Sequence, residues 1–181
     1  MDPYDPASPL NPGVEPVHFE AWRTYVQTYG VIADLIRRRF AEALDLPLVW
    51  YEILLHVNSA ERGQRPFGEL EELIVFSQSG LSQLVTRMEA QDLLRRDTDP
   101  DDARRTVVVL TDDGRALLTR CAEIHRCSID EYFANRLTDD EAHQLSQTLG
   151  RLLKEVRPLH KAQLTRPAAR RRRRRASPPE P

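Results

Sequence analysis

Two segments near opposite ends of the chain repeat apolar residues at alternating spacings of three and four, and this repeat constrains the fold more than any other feature. The first consists of Trp22, Val26, Tyr29, Ala33, Ile36 and Phe40, and the second of Ala142, Leu145, Leu149, Leu152, Val156 and Leu159. Such spacing is typical of helices that pack along a narrow seam, as in coiled coils. Two seams are more apolar edge than one small core needs. The sequence therefore predicts that both helices pack against a second copy in a homodimer, with an elongated monomeric bundle as the alternative.

Boundary signals mark two long helices in the second half of the chain. Thr138 and Glu141 match a capping box, in which each side chain accepts a hydrogen bond from the other residue's backbone amide. Thr111 is the expected cap of a preceding helix that runs from about residue 112 to residue 136. Asp112 and Asp113 suit its first turn because carboxylates favour the positive end of the helix dipole.

The middle of the chain predicts shorter helices. Residues 46–57 (LPLVWYEILLHV) are nearly all apolar and predict a buried helix with Pro47 in its first turn. Residues 58–65 (NSAERGQR) predict a polar loop. A short helix from Pro66 to about Phe76 follows, and its expected inward residues are Phe67, Leu70, Leu73 and Ile74.

The next helix, from about Ser79 to Gln91, is amphipathic. Its apolar face carries Leu81, Leu84, Val85 and Met88, and its polar face carries Ser79, Ser82, Gln83 and Thr86, with Arg87 on the flank. Between Ser77 and Met88 the sequence has one cation and no anion. Short hydroxyls and an amide without carboxylates permit close approach to DNA phosphates and base edges. The pattern alone leaves an uncharged surface helix as the alternative.

A β-hairpin is predicted after this helix. Residues 94–96 and 106–110 form its strands, the second being TVVVL, which is rich in β-branched residues. Asp99-Pro100-Asp101-Asp102 predicts a type I turn between them, stabilised by bonds from aspartate side chains to the backbone. The alternating aspartates also suggest a calcium loop, but the glycine at position six and the terminal glutamate of such loops are missing.

The arginines of the hairpin suit contacts with a polyanion. Asp102 can brace Arg104 across two residues, which would hold Arg104 extended at the tip for a minor groove or a phosphate. Arg95, Arg96 and Arg105 are candidates for flanking phosphate contacts. The arginines of the hairpin are therefore expected to bind a polyanion, while its acidic residues stabilise the turn.

The segment SQSGLSQLVTRMEAQDLLRRDTDPDDARRTVVVLTDDGRALL, residues 77–118, resembles the MarR family of winged-helix transcription regulators. The resemblance rests on LVTRMEAQDLL, on Asp102-Ala103-Arg104 as the wing's Asp-x-Arg, and on LTDDG at residues 110–114. It implies a mainly α, α+β winged-helix fold and a homodimer that binds a palindromic operator in double-stranded DNA, usually as a repressor. The DNA-contacting residues it implies are Ser77, Gln78, Ser79, Ser82, Gln83, Thr86, Arg87, Asp102 and Arg104, to which the charge pattern adds Arg95, Arg96 and Arg105.

Three residues depart from the family pattern. Ala103 stands where a second basic residue is usual, so the wing loses a phosphate contact. Glu71 stands where the short third helix usually has a small alanine. Asp92 replaces the glycine that commonly ends the recognition helix, and aspartate tolerates the left-handed backbone conformation less well than glycine.

The resemblance also implies a cleft for a small aromatic or anionic effector. The residues on the segments that would line it are Trp22, Tyr25, Tyr29, Trp50, Tyr51 and His56. Aromatic residues on buried helix faces are more often core residues, and a satisfied buried histidine is the alternative for His56. No cofactor and no metal are expected, since Cys121 and His125 supply only half of a zinc site.

The two cysteines, Cys121 and Cys127, are too far apart along one helix to form a disulfide with each other. They are expected to be reduced packing residues, with redox sensing as the alternative.

The chain also lacks the apolar run of a membrane span and the pattern of a signal peptide, which predicts a cytoplasmic protein. No phosphate-binding loop or catalytic grouping is present, so an enzyme is not expected.

Charge is distributed unevenly along the 181 residues. Setting aside the six arginines of residues 170–175 and Glu180 leaves 20 cations against 27 anions, a balance of about −7 for residues 1–169. Basic tails of this kind commonly contact nucleic acid. The alternative function is therefore a non-specific nucleic-acid binder driven by the tail, with the winged helix as a protein-interaction module.

The sequence thus predicts five regions. They are a disordered proline-rich arm (1–17), an N-terminal dimerisation helix (18–45), a winged helix-turn-helix lobe that binds DNA (46–111), C-terminal dimerisation helices (112–160) and a disordered arginine-rich tail (161–181).

Overall fold

A computed structural model describes residues 14–74 and 78–164 of the chain. Its helices are α1 (Pro16–Leu44), α2 (Leu48–Asn58), α3 (Phe67–Leu73), α4 (Gln78–Glu89), α5 (Asp112–Tyr132) and α6 (Asp139–Leu164), and its strands are β1 (Gln64–Pro66), β2 (Leu94–Thr98) and β3 (Thr106–Leu110). Short 3₁₀ turns span Glu61–Gly63 and Ala134–Arg136. The fold is mainly helical with one small antiparallel sheet, as the sequence predicted. Most of the proline-rich arm (residues 1–13) and of the arginine-rich tail (165–181) lies outside the described residues.

Helix α1 begins two residues before the predicted boundary because Pro16 occupies its first turn, where a missing amide hydrogen does not matter. The helix ends at Leu44, and the next residue, Asp45, terminates it with a positive φ of 54°. Ile36 and Phe40 in its second half are buried. Its first half leaves the side chains of Trp22 and Tyr29 59% and 66% exposed.

The core lies where α2, α4 and the sheet meet. Ile53, Leu54 and Val57 of α2 are fully buried, as are Val85 and Met88 of α4. Burial of each such side chain contributes about 1.5–3 kcal/mol. The nearly continuous apolar run of residues 46–57 is explained by this position, because α2 contacts α1, α3, α5 and β3. Pro47 precedes α2 as its N-cap residue rather than lying within the first turn.

Helix α3 is shorter than predicted. It ends at Leu73, and residues 75–77 lie outside the described part of the chain. Leu70 and Ile74 are buried as expected and Phe67 is half-buried, but Leu73 is exposed, so its predicted inward orientation was wrong. Ile74 has already left the helical conformation, with φ −107° and ψ 126°, so helical spacing does not decide its burial.

Strand β1 was missed by the sequence reading, which assigned residues 58–65 to a loop. In the structure, Gln64, Arg65 and Pro66 pair antiparallel with Val109, Val108 and Val107, which gives the strand order β1-β3-β2. The polar composition gave no period-two signal, and the pairing depends on β3. Pro66 is tolerated because it lies on an edge strand. Strand β2 extends to Thr98, two residues beyond its predicted end, while β3 has its predicted bounds.

Helix α5 starts as predicted. The Thr111 hydroxyl accepts a hydrogen bond from the Gly114 amide at 3.0 Å. Gly114 is required there, since a Cβ would lie 2.0 Å from the carbonyl oxygen of Leu93. The helix ends at Tyr132, four residues earlier than predicted, because Phe133 leaves the helical conformation with φ −135° and ψ −62°.

Helix α6 opens with the predicted capping box. The Thr138 amide donates to a Glu141 carboxylate oxygen at 2.8 Å, and the Glu141 amide donates to the Thr138 hydroxyl at 3.3 Å. The helix continues through Pro158 to Leu164, so residues 161–164, predicted to belong to the tail, are helical. Its apolar residues Leu152, Val156 and Leu159 are exposed.

Contacts divide the chain into two units, one ending at Arg136 and the other beginning at Leu137. Each carries one of the two predicted seams, and in each the seam is wholly or partly uncovered. Within the described residues, no helix is both long enough and apolar enough to cross a membrane.

Cys121 and Cys127 occupy different environments. Cys121 is buried, as predicted. Cys127 is exposed, so the prediction that it packs inside the chain was wrong. Positions six apart on a helix differ by about 120° in direction, so the two thiols cannot share one face.

Candidate nucleic-acid interface

Helix α4 presents a polar face to solvent. Leu81, Val85 and Met88 anchor its other face in the core. Ser79, Gln83, Thr86 and Arg87 are exposed and Ser82 is half-buried. Ser77 lies outside the described residues, and of Gln78 only the helical backbone is described. The exposed residues on this face of α4 are therefore short and polar, apart from the single cation Arg87.

The end of α4 is closed by Asp92 in the left-handed conformation, with φ 56°. The Leu93 amide donates to the Met88 carbonyl at 3.0 Å and the Asp92 amide to the Glu89 carbonyl at 2.9 Å, the pattern of a Schellman cap. The Thr111 hydroxyl donates to the Asp92 carbonyl at 2.5 Å. The departure from glycine is thus accommodated by a cap that also ties α4 to the start of α5.

The hairpin β2–β3, here called the wing (residues 94–110), is organised by its aspartates. The Asp101 amide donates to the Asp99 carboxylate at 2.9 Å, and the Arg104 amide donates to the Asp102 carboxylate at 3.1 Å. The Asp99 amide donates to the Arg105 carbonyl at 3.0 Å. These bonds confirm the predicted use of aspartate side chains to stabilise the turn backbone.

Three arginines of the wing are exposed. Arg105 pairs with Asp102 at 3.3 Å and Arg95 pairs with Asp97 at 3.8 Å. Exposed pairs of this kind contribute about 0–1 kcal/mol, so a phosphate can compete for either guanidinium. Arg104 forms no ion pair with any described residue and remains available at the tip.

Arg96 is held differently. Its guanidinium pairs with the carboxylate of Glu89, donates to the Thr86 hydroxyl at 3.2 Å and donates to the Ser82 carbonyl at 3.2 Å. Its backbone amide donates to the second oxygen of Glu89 at 2.9 Å. The guanidinium also lies 5.7 Å from the centre of the Phe67 ring. Arg96 therefore links the wing to α4 and α3.

Sequence reasoning missed Glu89 and Phe67 as members of this surface. The available signal was a glutamate at the end of α4 followed seven residues later by an arginine on β2. That spacing crosses a helix end and a turn, so neither helical nor strand periodicity relates the two positions.

The other departures from the family pattern have separate outcomes. Ala103 is exposed in the wing turn. Glu71 is half-buried, and among the described residues its Oε1 atom is buried without a hydrogen-bond partner.

The six predicted effector residues fall into two groups. Trp22, Tyr25 and Tyr29 are exposed along α1, with neighbouring ring centres 6.1 and 6.5 Å apart. Trp50 and Tyr51 are buried core residues. His56 is half-buried; burial lowers its pKa, and the Arg65 guanidinium lowers it further. The structure does not bring these six residues together into one cavity.

Two open cavities lie elsewhere. One of about 580 Å³ separates α3 from α4 and the wing, and its lining includes Phe67, Ser82, Arg96 and Arg105. The other, of about 460 Å³, lies between α1 and the end of α5 and is lined by residues that include Val31, Leu35 and Tyr132. None of the six predicted effector residues lines either cavity.

Cys121 and His125 lie one turn apart on α5. Burial raises the pKa of the Cys121 thiol and lowers the pKa of His125. The Tyr51 hydroxyl lies 3.4 Å from Nδ1 of His125. In the described part of the chain, no group of three or more His, Cys, Asp or Glu residues is placed to hold a metal ion.

Comparison with known proteins identifies similar regulators. A model of the MarR family matches residues 44–105. The transcriptional regulator HosA of Escherichia coli O111:H- is 34% identical over 84 residues, which are 46% of this chain and 62% of HosA, so the match spans less than two thirds of that relative. The regulator MhqR of Bacillus subtilis is 26% identical over 109 residues, 60% of this chain and 71% of MhqR.

Solved structures show the same architecture. AbsC of Streptomyces coelicolor, described as a MarR family transcriptional regulator, has a TM-score of 0.74 at 25% identity, covering 81% of this chain and 98% of AbsC. Sco3205 of the same organism, solved in complex with DNA, has a TM-score of 0.73 at 25% identity, covering 80% of this chain and 91% of Sco3205.

Proposed function

We propose that the chain, residues 44–105 of which match a model of the MarR family, is a transcriptional repressor that binds a palindromic duplex-DNA operator as a homodimer. The observation that carries this proposal is the combination of a polar face of α4, whose exposed residues include Gln83 and Arg87, with a wing whose tip arginine, Arg104, forms no ion pair with a described residue. The similarity to Sco3205, a regulator solved in complex with DNA, supports it.

In the proposed complex, α4 enters the major groove. Gln83 and the hydroxyl of Ser79 are suited to base edges, and Arg87 on the flank is suited to a phosphate. Arg104 enters the adjacent minor groove, where a narrow groove concentrates negative potential. Arg95 and Arg105 exchange their weak partners in the wing for backbone phosphates.

The uncovered seams support a dimer. The exposed aromatic residues of α1 and the exposed Leu152, Val156 and Leu159 of α6 are large apolar side chains for which the described chain offers no cover. A second copy would remove both from water. Two recognition helices would then read half-sites about one helical turn, roughly 34 Å, apart.

We further propose that a small aromatic or anionic effector releases the DNA. A ligand that binds only one spacing of the two wings would shift the population towards release. The exposed Trp22, Tyr25 and Tyr29 offer aromatic surface for such a ligand at the dimer seam. This part of the proposal rests on the similarity to the MarR family and on that surface.

Selection of duplexes from a random-sequence pool by the full-length protein tests the proposal. We expect an inverted repeat to be enriched, and sedimentation of the complex to give two chains per duplex. Equal affinity for every duplex, or a single chain per site, would contradict it.

The charge distribution favours a second candidate, a non-specific binder driven by residues 170–175. Deleting residues 170–181 separates the two. If the inverted repeat is still preferred and only the salt dependence of binding falls, the regulator is supported; if all binding disappears, the tail-driven function is supported.

A further inference from the structure

The contacts of Arg96 separate it from the other arginines of the wing. Arg95 and Arg105 are each more than 60% exposed and pair only with acids of their own hairpin. The side chains of Arg96 and Glu89 are 30% and 25% exposed, and the pair joins β2 to the last turn of α4. Arg96 is thus the wing arginine whose guanidinium reaches the recognition helix.

We propose that the Glu89–Arg96 pair is a positioning device that fixes the wing relative to α4, so that both elements meet the same duplex in register. This inference rests on the proposed function, because it concerns how the two DNA-contacting elements act together. Arg96 is then a positioning residue rather than a phosphate contact.

The bonding of the pair supports this role. Both carboxylate oxygens of Glu89 are engaged, one by the Arg96 amide and the other by its guanidinium. The guanidinium is further held by the Ser82 carbonyl and the Thr86 hydroxyl, and that hydroxyl itself donates to the Ser82 carbonyl at 3.0 Å. A phosphate would have to replace several charge-assisted bonds at a partly buried site to capture Arg96.

The hydroxyl of Thr86 is drawn into the same network. Its hydrogen is donated to Ser82, and one of its lone pairs accepts from Arg96. Thr86 therefore has no hydroxyl hydrogen left for a base edge in this arrangement. The pair sets the orientation of a residue on the exposed face of α4 as well as the position of the wing.

The two possible roles of Arg96 predict opposite effects of removing the charge of Glu89. If Arg96 were a phosphate ligand, Glu89 would compete with the phosphate, and Glu89→Gln would strengthen binding. If the pair positions the wing, Glu89→Gln weakens binding to the operator but not to unrelated duplexes. The number of phosphate contacts stays the same, so the slope of affinity against salt concentration also stays the same.

The experiment compares four full-length proteins: wild type, Glu89→Gln, Arg96→Gln and the double variant. Fluorescence anisotropy measures their binding to the duplex that wild type selects from a random pool, and to an unrelated duplex of equal length, over a series of salt concentrations. We expect each single variant to bind the selected duplex about tenfold more weakly and the double variant to be no weaker than either, since they remove one shared interaction. Affinity for the unrelated duplex should change by less than about twofold.

Matched controls separate positioning from general charge effects. Glu123→Gln removes an exposed carboxylate that pairs with Arg126 at 3.0 Å on α5, and it should leave both affinities unchanged. Arg95→Gln should lower the salt slope by about one per site, as expected for a lost phosphate contact. Arg96→Lys keeps the charge but cannot make the forked contacts, so it should behave like Arg96→Gln.

Each outcome decides the matter. Unchanged or stronger operator binding by Glu89→Gln would overturn the inference while leaving the proposed function intact. If Glu89→Gln fails to fold by circular dichroism, Arg96→Lys supplies the test, and unchanged operator binding by that variant would overturn it. A wild type without preference for any duplex would overturn the proposed function and this inference with it.

Discussion

The winged-helix lobe (residues 46–111) and the terminal helices differ in how far their apolar side chains are buried. In the lobe, Leu54 and Val85 are fully buried among residues of the same chain. Along the first half of α1 and along α6, large apolar side chains are left in water, including Leu159 at 63% exposure. The apolar residues of the lobe are therefore covered within the chain, with help from Ile36 and Phe40 of α1 and Leu118 of α5. The first half of α1 and α6 instead present surfaces that are stabilised only when something covers them.

The largest expected effect tests the buried core of the lobe. Leu54→Ala should lower the free energy of unfolding by about 2–5 kcal/mol, because it leaves a cavity in a fully packed site. Leu55→Ala, at the exposed neighbouring position, is the matched control and should have an effect below about 1 kcal/mol. Urea denaturation followed by circular dichroism measures both. Equal effects of the two substitutions would contradict the assignment of the core.

The next effect tests the uncovered surface of α6. Leu152→Asp should weaken self-association by about 100-fold or more, since it places a charge on an apolar seam. Sedimentation velocity over a range of protein concentrations measures this, and the lobe should keep its near-ultraviolet spectrum. Gln147→Asp adds the same charge at an exposed polar position and serves as the control. A wild type that sediments as one chain at every concentration would refute the covered-seam explanation.

A smaller effect is expected at the wing tip. Arg104→Ala should weaken operator binding at least about tenfold and reduce the salt slope by about one per subunit, without dissociating or unfolding the protein. Arg120→Ala removes an exposed arginine from α5 for comparison and should leave the slope unchanged. Anisotropy titrations at several salt concentrations give both quantities. An Arg104→Ala protein with wild-type affinity would exclude the tip as a DNA contact.

The smallest expected effect is a dependence of stability on pH, which arises from His125 where α1 and α2 pack against α5. The His125 ring lies against Phe40 and Tyr51, and burial lowers its pKa from the ordinary value of 6.5. The unfolded chain therefore binds a proton more readily than the folded one. The stability that depends on neutral His125 is present above pH 6.5 and is lost as the pH falls towards the lower folded pKa.

The midpoint temperature of thermal unfolding should accordingly decrease as the pH is lowered from about 7.5 to about 5.5. The decrease should be less steep in His125→Asn. Some dependence should remain in that variant, because burial also lowers the pKa of His56. His160→Asn, at an exposed position of α6, is the control. Identical slopes for wild type and His125→Asn would show that His125 does not contribute.

Much of the candidate interface could be predicted because its signals are local. The amphipathic spacing of α4 placed Leu81 and Val85 inside and Gln83 and Thr86 outside, and the structure agrees. The turn chemistry around Asp102 follows from side chains that bond to their own backbone nearby. Such signals involve residues within four positions of one another, so they can be read in one dimension.

The errors arose where distant segments meet. Residues 64–66 became a strand only because β3 offers them a partner. Leu73 is exposed although it lies three residues after the buried Leu70 on the same helix. The ion pair between Arg96 and Glu89 was not predicted, because a helix end and a turn separate the two residues.

The sequence by itself determined where the capped helices α5 and α6 begin, which faces of the helices are mostly apolar, and that an arginine-rich hairpin follows a helix with few charges. These properties follow from short-range backbone bonding and from periodicity. Only the tertiary structure decided which arginine is exposed and which forms an ion pair with another element. Burial and pairing depend on residues that are distant in the sequence and come together in the fold. Arg104 and Arg96 are eight residues apart and identical in chemistry. Their surroundings alone leave Arg104 exposed without an ion pair among the described residues and make Arg96 a link within the protein.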